Sequence, residues 1–228
     1  MMPPLHILYC GTIAPLGPRA LPSGIAKRPT AGPWTITPTG IAGDAQGDTK
    51  HHGGLEKAIH HYPRDHYAAW QMENPAVTAF HDAPAFGENI STSGITEADV
   101  CLGDIYRLGD VTLQISQGRQ PCWRLGAHSG WAELPKRVRE TGRSGWYYRV
   151  LEAGEVAPGS SLRLEQRPQP AWSVARLMHA MLARDVDRQE LSRAADLPEL
   201  SAGWRETCRK RLAANKVEDW GARLSGPT

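Results

Sequence analysis

The chain has 228 residues, 40% hydrophobic and 22% charged, with a formal net charge of +2. This is the composition of a folded globular chain with one large domain, or one domain and a small appendage, and it gives no electrostatic reason to expect nucleic acid. No apolar stretch approaches the ~20 residues of a membrane helix, Met1–Gly17 lacks the pattern of a secretion signal, and Cys10, Cys101, Cys122 and Cys208 are too scattered for a disulfide scaffold or zinc ribbon. The expectation is a cytoplasmic protein with neither a nucleic-acid nor a membrane partner.

In chain order, Leu5 to Tyr9 reads as a first strand, ended by Gly11. Pro15 to Pro33 is a Pro- and Gly-rich surface excursion whose one strand-like piece is Ser23-Gly24-Ile25-Ala26-Lys27. Trp34 to Thr37 alternates as a strand. A glycine-punctuated acidic loop, Gly40 to Asp48, follows and runs into Lys50-His51-His52-Gly53-Gly54. Ala58 to His61 is a short strand, and Pro63 suits the first turn of a helix carrying His66, Tyr67 and Trp70. Phe80 to Asn89 reads as loop, leading into a short strand at Ile90. Val100 to Leu108 has strand composition broken at Gly103, and Gly109-Asp110 is a two-residue turn into the alternating strand Val111 to Ile115.

Turn chemistry then takes over at Gly118 and Pro121, and Cys122 follows the proline. Trp131 to Glu140 has a weak helical pattern closed by Gly142; Trp146 to Leu151 and Ser161 to Leu164 read as strands. Arg167-Pro168-Gln169-Pro170 is a plausible linker. Beyond it the period turns helical, with Val174, Leu177, Met178, Met181 and Leu182 on one face after Ser173 as N-cap. Asp187 with Glu190 forms a capping box for a second helix, and Ser201 starts a third with Trp204, Cys208 and Leu212 on one side. The economical architecture is a β-rich α+β fold: a barrel-like domain over 1–167 and a small three-helix C-terminal domain over 171–228. The latter is too small to bury much core alone, so it docks on the barrel or on a second subunit.

Cys122, beside Arg119 and Arg124, has two readings. Cations favour a thiolate, the form that binds metals or attacks electrophiles; a buried cysteine is also an ordinary small hydrophobe. From Arg119 to Arg149 there are seven basic residues and two acids, which suits an anionic small ligand or a solvated helix face equally. Five of the nine histidines lie between His51 and His66, but without an H-E-x-x-H or H-x-H spacing. His52-Gly53-Gly54 reads as a tight turn, with or without a ligand against it. Hydrolase, nucleotide-binding and nicotinamide fingerprints are absent.

Several motifs occur in a fixed order: Ser23-Gly24-Ile25-Ala26-Lys27, Thr37, Gly43-Asp44-Ala45-Gln46-Gly47-Asp48, His52-Gly53-Gly54, Lys57-Ala58, His61-Tyr62-Pro63, Phe86-Gly87-Glu88-Asn89, Gly103-Asp104, Gln120-Pro121-Cys122 and Thr141 to Tyr147. In these the chain resembles MOSC-domain proteins, related to the C-terminal domain of molybdenum cofactor sulfurase, and among them the bacterial YiiM-type branch with its three-helix extension. The resemblance implies a β-barrel-like fold holding a molybdenum cofactor (molybdopterin with molybdenum), with Cys122 as the metal's thiolate ligand.

It also implies reduction of N-hydroxylated compounds such as hydroxylaminopurine-type base analogues, with Lys27 and Thr37 beside Cys122 in the pocket. Lys27 is assigned to the leaving oxygen and Thr37 to orientation. Arg119, Arg124, His52, Gly53, Gly54 and Asn89 are assigned to the cofactor. The chain has no flavin, nicotinamide or iron–sulfur motif, so a separate redox protein supplies electrons, and a homodimer is expected. A carrier that holds cofactor or sulfur without turnover is the alternative within this family, and a His-dependent metallohydrolase the one outside it. Two positions depart from the family pattern. Gly118 stands where proline is usual, which reads as a more flexible cysteine loop, and Gly47 replaces alanine.

Overall fold

The structure, a computed structural model, describes residues 4–47 and 53–226. Its centre is a curled six-stranded sheet in the order Arg163–Gln166, Ile105–Leu108, Val111–Gly118, Trp146–Glu152, Ile59–Pro63 and Ile90–Thr92. Neighbours run antiparallel, except that the last two are parallel. Trp34–Thr37, Gly40–Ile41 and Gly154–Val156 form a three-stranded sheet, and three strand pairs complete the β-rich, barrel-like body.

Val111–Gly118 is the longest strand, and it is central because its apolar residues have nowhere else to go: Val111, Leu113 and Ile115 are fully buried. The Gly109-Asp110 turn pairs Leu108 with Val111, as its two-residue length requires. The strand runs past Ile115 to Gly118, with an irregularity at Ser116 against Tyr147 and Tyr148. A bulge re-aims the side chains beyond it, and this one lies six residues before Cys122.

Several local expectations shift. Leu5 to Tyr9 is two short strands, Pro4–Leu5 and Leu8–Cys10. The Ser23–Lys27 piece is not a strand. Leu21–Ser23 and Arg28–Thr30 flank an irregular turn there. Pro63 ends its strand instead of opening the helix: its missing N–H falls where the ladder stops, and the Arg64 N–H donates to the Thr92 carbonyl. Helix α1 is Asp65–Glu73. An unforeseen helix, α2, occupies Trp123–Ser129 directly after Cys122; its burial is limited to Leu125 and Gly126, too little to leave a periodic signal. Helix α3 is Leu134–Thr141, closed by Gly142.

The C-terminal region holds α4 Val174–Leu182, α5 Arg188–Ala195, α6 Ala202–Ala214 and a fourth, short helix α7 Gly221–Ser225. The caps are as the sequence implies for α4 and α5: Ser173 Oγ accepts from Arg176 N–H at 3.1 Å and Asp187 Oδ1 from Glu190 N–H at 3.0 Å. The five periodic residues of α4 are all buried. They join a single hydrophobic core that runs from Ile36, Leu113 and Trp146 into Leu177, Met181, Trp204 and Trp220. The helices therefore dock on the sheet of their own chain. The Arg167–Pro170 segment is tied down too, because the Arg167 guanidinium forks onto fully buried Asp104 at 2.9 and 2.7 Å. A second, aromatic core under α1 to α3 stacks Phe86 on Tyr62 with ring centres 3.9 Å apart.

Candidate active site

A cleft opens at one end of the sheet, where six separated pieces of chain converge: 23–27, 44–47, 53–60, 86–89, 119–124 and Tyr147. The 23–27 turn supplies Lys27, and the 44–47 loop supplies Asp44 and Gln46. The strands Ile59–Pro63 and Trp146–Glu152 supply His60 and Tyr147, the bend before Ile90 supplies Asn89, and the cysteine loop supplies Arg119, Cys122 and Arg124. Gly47 explains part of this closure. A Cβ there would sit 2.3 Å from the Pro22 carbonyl oxygen, so the glycine lets the 44–47 loop lie against the 21–27 segment.

Asp44 is the node of the cleft wall. Its buried carboxylate accepts from the Gly11 N–H at 2.7 Å, from Asn89 Nδ2 at 2.8 Å and from the Lys27 ammonium. Sequence reasoning saw Asp44 only as a member of a glycine loop. Its role becomes visible when the loop folds over Lys27. Asn89 lines the cleft, but its amide is spent internally: Nδ2 also donates to the Tyr9 carbonyl at 2.9 Å, and Oδ1 accepts from the His60 N–H at 3.0 Å. These bonds make it a brace of the wall as well as part of the lining.

Cys122 is 5% exposed and faces the cleft with Arg119 and Arg124. Arg119 is buried, its N–H bonded to the Gly145 carbonyl at 3.0 Å, yet its Nη1 has no partner among the described residues. His60 Nε2, also buried, has none either. Burial first, and then Arg119, hold the His60 pKa well below the ordinary imidazole value, against the pull of the Gly87 and Ser144 backbone, so the ring is neutral. Burial raises the Tyr147 phenol, against the pull of Arg119. Two orphaned polar atoms in one cleft are costly unless something binds there.

Other expected residues lie elsewhere. Thr37 is outside the cleft lining; its hydroxyl donates to the Gly40 carbonyl at 2.9 Å, closing the turn between its own strand and the next. Gly53 lines the cleft beside Gln46 and Gly54 does not, while His52 falls outside the described residues. Among the described histidines of the cluster, His61 bonds Tyr148 and Thr92 at 3.1 and 2.8 Å, His66 bonds Glu97 at 2.7 Å, and His60 alone lines the cleft; His51, like His52, lies outside the described residues. Among the described residues no three His, Cys, Asp or Glu side chains converge as a metal site.

The Gly118 departure also changes meaning. A Cβ at Gly118 would lie 2.0 Å from the Met178 sulfur of α4, so the glycine makes room for that side chain, and the residue sits inside the strand, buried. It is not a source of loop flexibility.

The site fits the implied cofactor. One soft cysteine sulfur suits a metal whose remaining ligands come from the cofactor itself, and a buried guanidinium with one nitrogen lacking a partner among the described residues suits an anionic group.

Comparisons with known proteins agree with this geometry. The model of the MOSC domain matches residues 48–163, and that of the YiiM-like 3-alpha helix domain matches residues 172–215. Protein YiiM of Escherichia coli strain K12 is 38% identical over 224 residues, covering 96% of this chain and 97% of that protein. A protein of Gibberella moniliformis called a reductase is 40% identical over 177 residues, 77% of this chain but 31% of its own length. The crystal structure of YiiM from Escherichia coli superposes with a TM-score of 0.80 at 32% identity, covering 94% of this chain and all of that one. With a cysteine cleft at the end of a curled sheet and a helical unit docked behind it, the chain belongs to the MOSC-domain family, in its YiiM-like form.

Proposed function

We propose that this protein binds a molybdenum cofactor through the Cys122 thiolate and reduces N-hydroxylated compounds to amines. The observation that supports this most is the convergence, in one cleft, of Cys122 with two buried polar atoms lacking partners, Arg119 Nη1 and His60 Nε2. The reductase name of one relative points in the same direction. Cofactor chemistry would supply the two-electron step, in which a hydroxylamine, two protons and two electrons give an amine and water.

The chain's own groups then have separate tasks. Arg119, with Arg124 at the rim, holds the anionic part of the cofactor. Lys27 directs two of its hydrogens to Asp44 and keeps a third, which is assigned to the leaving oxygen of the substrate. His60, as a neutral ring, offers Nε2 to the substrate's polar edge. Tyr147 lines the same cleft, and its ring suits a planar base. Thr37 is given no part. Electrons come from a separate redox protein.

The test is reduction of a panel of hydroxylamines, including a hydroxylaminopurine, by protein purified from a molybdate-replete host with a chemical electron donor. Amine formation dependent on molybdenum loading is expected. Bound cofactor without turnover across the panel would instead mark a carrier.

A further inference from the structure

The cysteine loop is held at several points by the C-terminal helical region. At the Ser116 bulge, the Ser116 carbonyl accepts from the Ser201 N–H at 3.0 Å. Two residues on, Met178 packs directly over Gly118. At the residue before the cysteine, the Pro121 carbonyl accepts from Arg223 Nε at 3.1 Å. At the residue after it, Trp123 lies against Gly226, where a Cβ would meet the ring at 3.2 Å. Arg223 and Gly226 lie beyond residue 215, where the match to the three-helix model ends.

We propose that Arg223 is a positioning residue for Cys122, so that α7 is a working part of the site and not a tail of the helical unit. The peptide between Pro121 and Cys122 has one carbonyl, and its hydrogen bond to a guanidinium fixes the plane from which the cysteine side chain departs. Cys122 is the N-cap of α2, with extended backbone, φ −145° and ψ 161°, and its carbonyl accepts from the Leu125 N–H at 3.0 Å, so the helix holds the peptide after the cysteine and Arg223 the one before it. The guanidinium is itself held, half-buried, with its centre 5.8 Å from the Trp220 ring, and Arg139 stacks on the same ring at 4.5 Å. A planar donor fork of fixed reach does this better than a lysine's rotating ammonium.

The proposal rests on Cys122 being the metal ligand only for its last readout, and the first readout is independent of that. Hydrogen exchange in the cofactor-free protein is followed at two loop amides, Arg119, bonded to Gly145, and Leu125, bonded to Cys122. Arg223→Ala is expected to speed both by about tenfold, as losing a hydrogen bond to a charged group implies. Millimolar ethylguanidinium is expected to restore both to within about twofold, because it refills the vacated donor position; a general loss of folding stability would not be rescued so. Should the alanine variant fail to fold, Arg223→Lys keeps charge and bulk and is expected to speed exchange by about threefold. In cofactor-loaded protein, Arg223→Ala is expected to lose molybdenum on dialysis about five times faster than the unaltered chain. Unchanged exchange in Arg223→Ala or Arg223→Lys, or faster exchange that ethylguanidinium does not restore, overturns the proposal. If the unaltered chain binds no molybdenum, the ligand reading fails while the exchange result still decides the role of Arg223.

Discussion

Replacing Asp44 by asparagine tests the wall of the cleft. The carboxylate is 1% exposed and faces a Lys27 side chain that is 6% exposed, so the two charges are compensated mainly by each other. Asparagine is the same shape, and its oxygen still accepts from Gly11 N–H. Its NH₂, however, is set against the Lys27 ammonium or the Asn89 NH₂, donor against donor. Breaking one side of a buried pair costs about 3–5 kcal/mol because the other charge stays behind. Lys27→Met is milder, about 1–3 kcal/mol, since Asp44 retains Gly11 and Asn89 as donors. Asp44→Asn in the Lys27→Met background then costs less than it does alone, by about 2 kcal/mol. Urea unfolding followed by tryptophan fluorescence measures all three. Asp44→Asn within about 1 kcal/mol of the unaltered chain would refute the claim that Asp44 neutralises Lys27.

Three further outcomes follow from the same structure. Burial lifts the Glu88 pKa from 4.5 to about 7, against the pull of Tyr67 and Phe86. Between pH 4.5 and 7 the folded state keeps a proton that the unfolded chain releases, so this group's contribution to stability falls as pH rises through that window, by on the order of 3 kcal/mol. Glu88→Gln should therefore match the parent near pH 4.5 and exceed it at pH 8 in thermal unfolding; equal stability at both pH values would contradict the burial argument. The opposite slope from His61, held at about 3 by burial and so losing stability as pH falls below 6.5, is common to both proteins and cancels. Gly118→Ala should cost about 1–3 kcal/mol by overpacking Met178, and Met178→Ala should relieve most of that; no relief would mean the clash is elsewhere.

The parts of the fold that could be read in the sequence are those fixed by local rules. Ser173 and Asp187 announced their helices because a side-chain oxygen caps an exposed N–H wherever the helix later packs. The Gly109-Asp110 turn and the α4 stripe were legible for the same reason. Helix α2 was not, because only two of its seven residues are buried and its place is set by the cysteine loop before it. At the site, the motifs brought Lys27, Arg119, Cys122 and Arg124 to one cleft. Asp44, His60 and Arg223 depend on contacts between segments far apart in sequence, 17 residues for Lys27 with Asp44 and 102 for Arg223 with Pro121. Thr37 misled because a strand threonine carries no mark of where its hydroxyl is used. Gly118 misled because its packing partner is 60 residues further along.

The account stands on Cys122 as the metal ligand, and the molybdenum content of purified Cys122→Ser tests that most directly. Serine keeps the shape of the side chain and removes the soft donor. Protein from a molybdate-replete host is expected to carry about one molybdenum per chain, with matching pterin, and the serine variant to lose nearly all of it while its circular dichroism and unfolding midpoint match those of the cofactor-free unaltered chain. Molybdenum retained in a folded Cys122→Ser protein at the level of the unaltered chain would contradict the assignment.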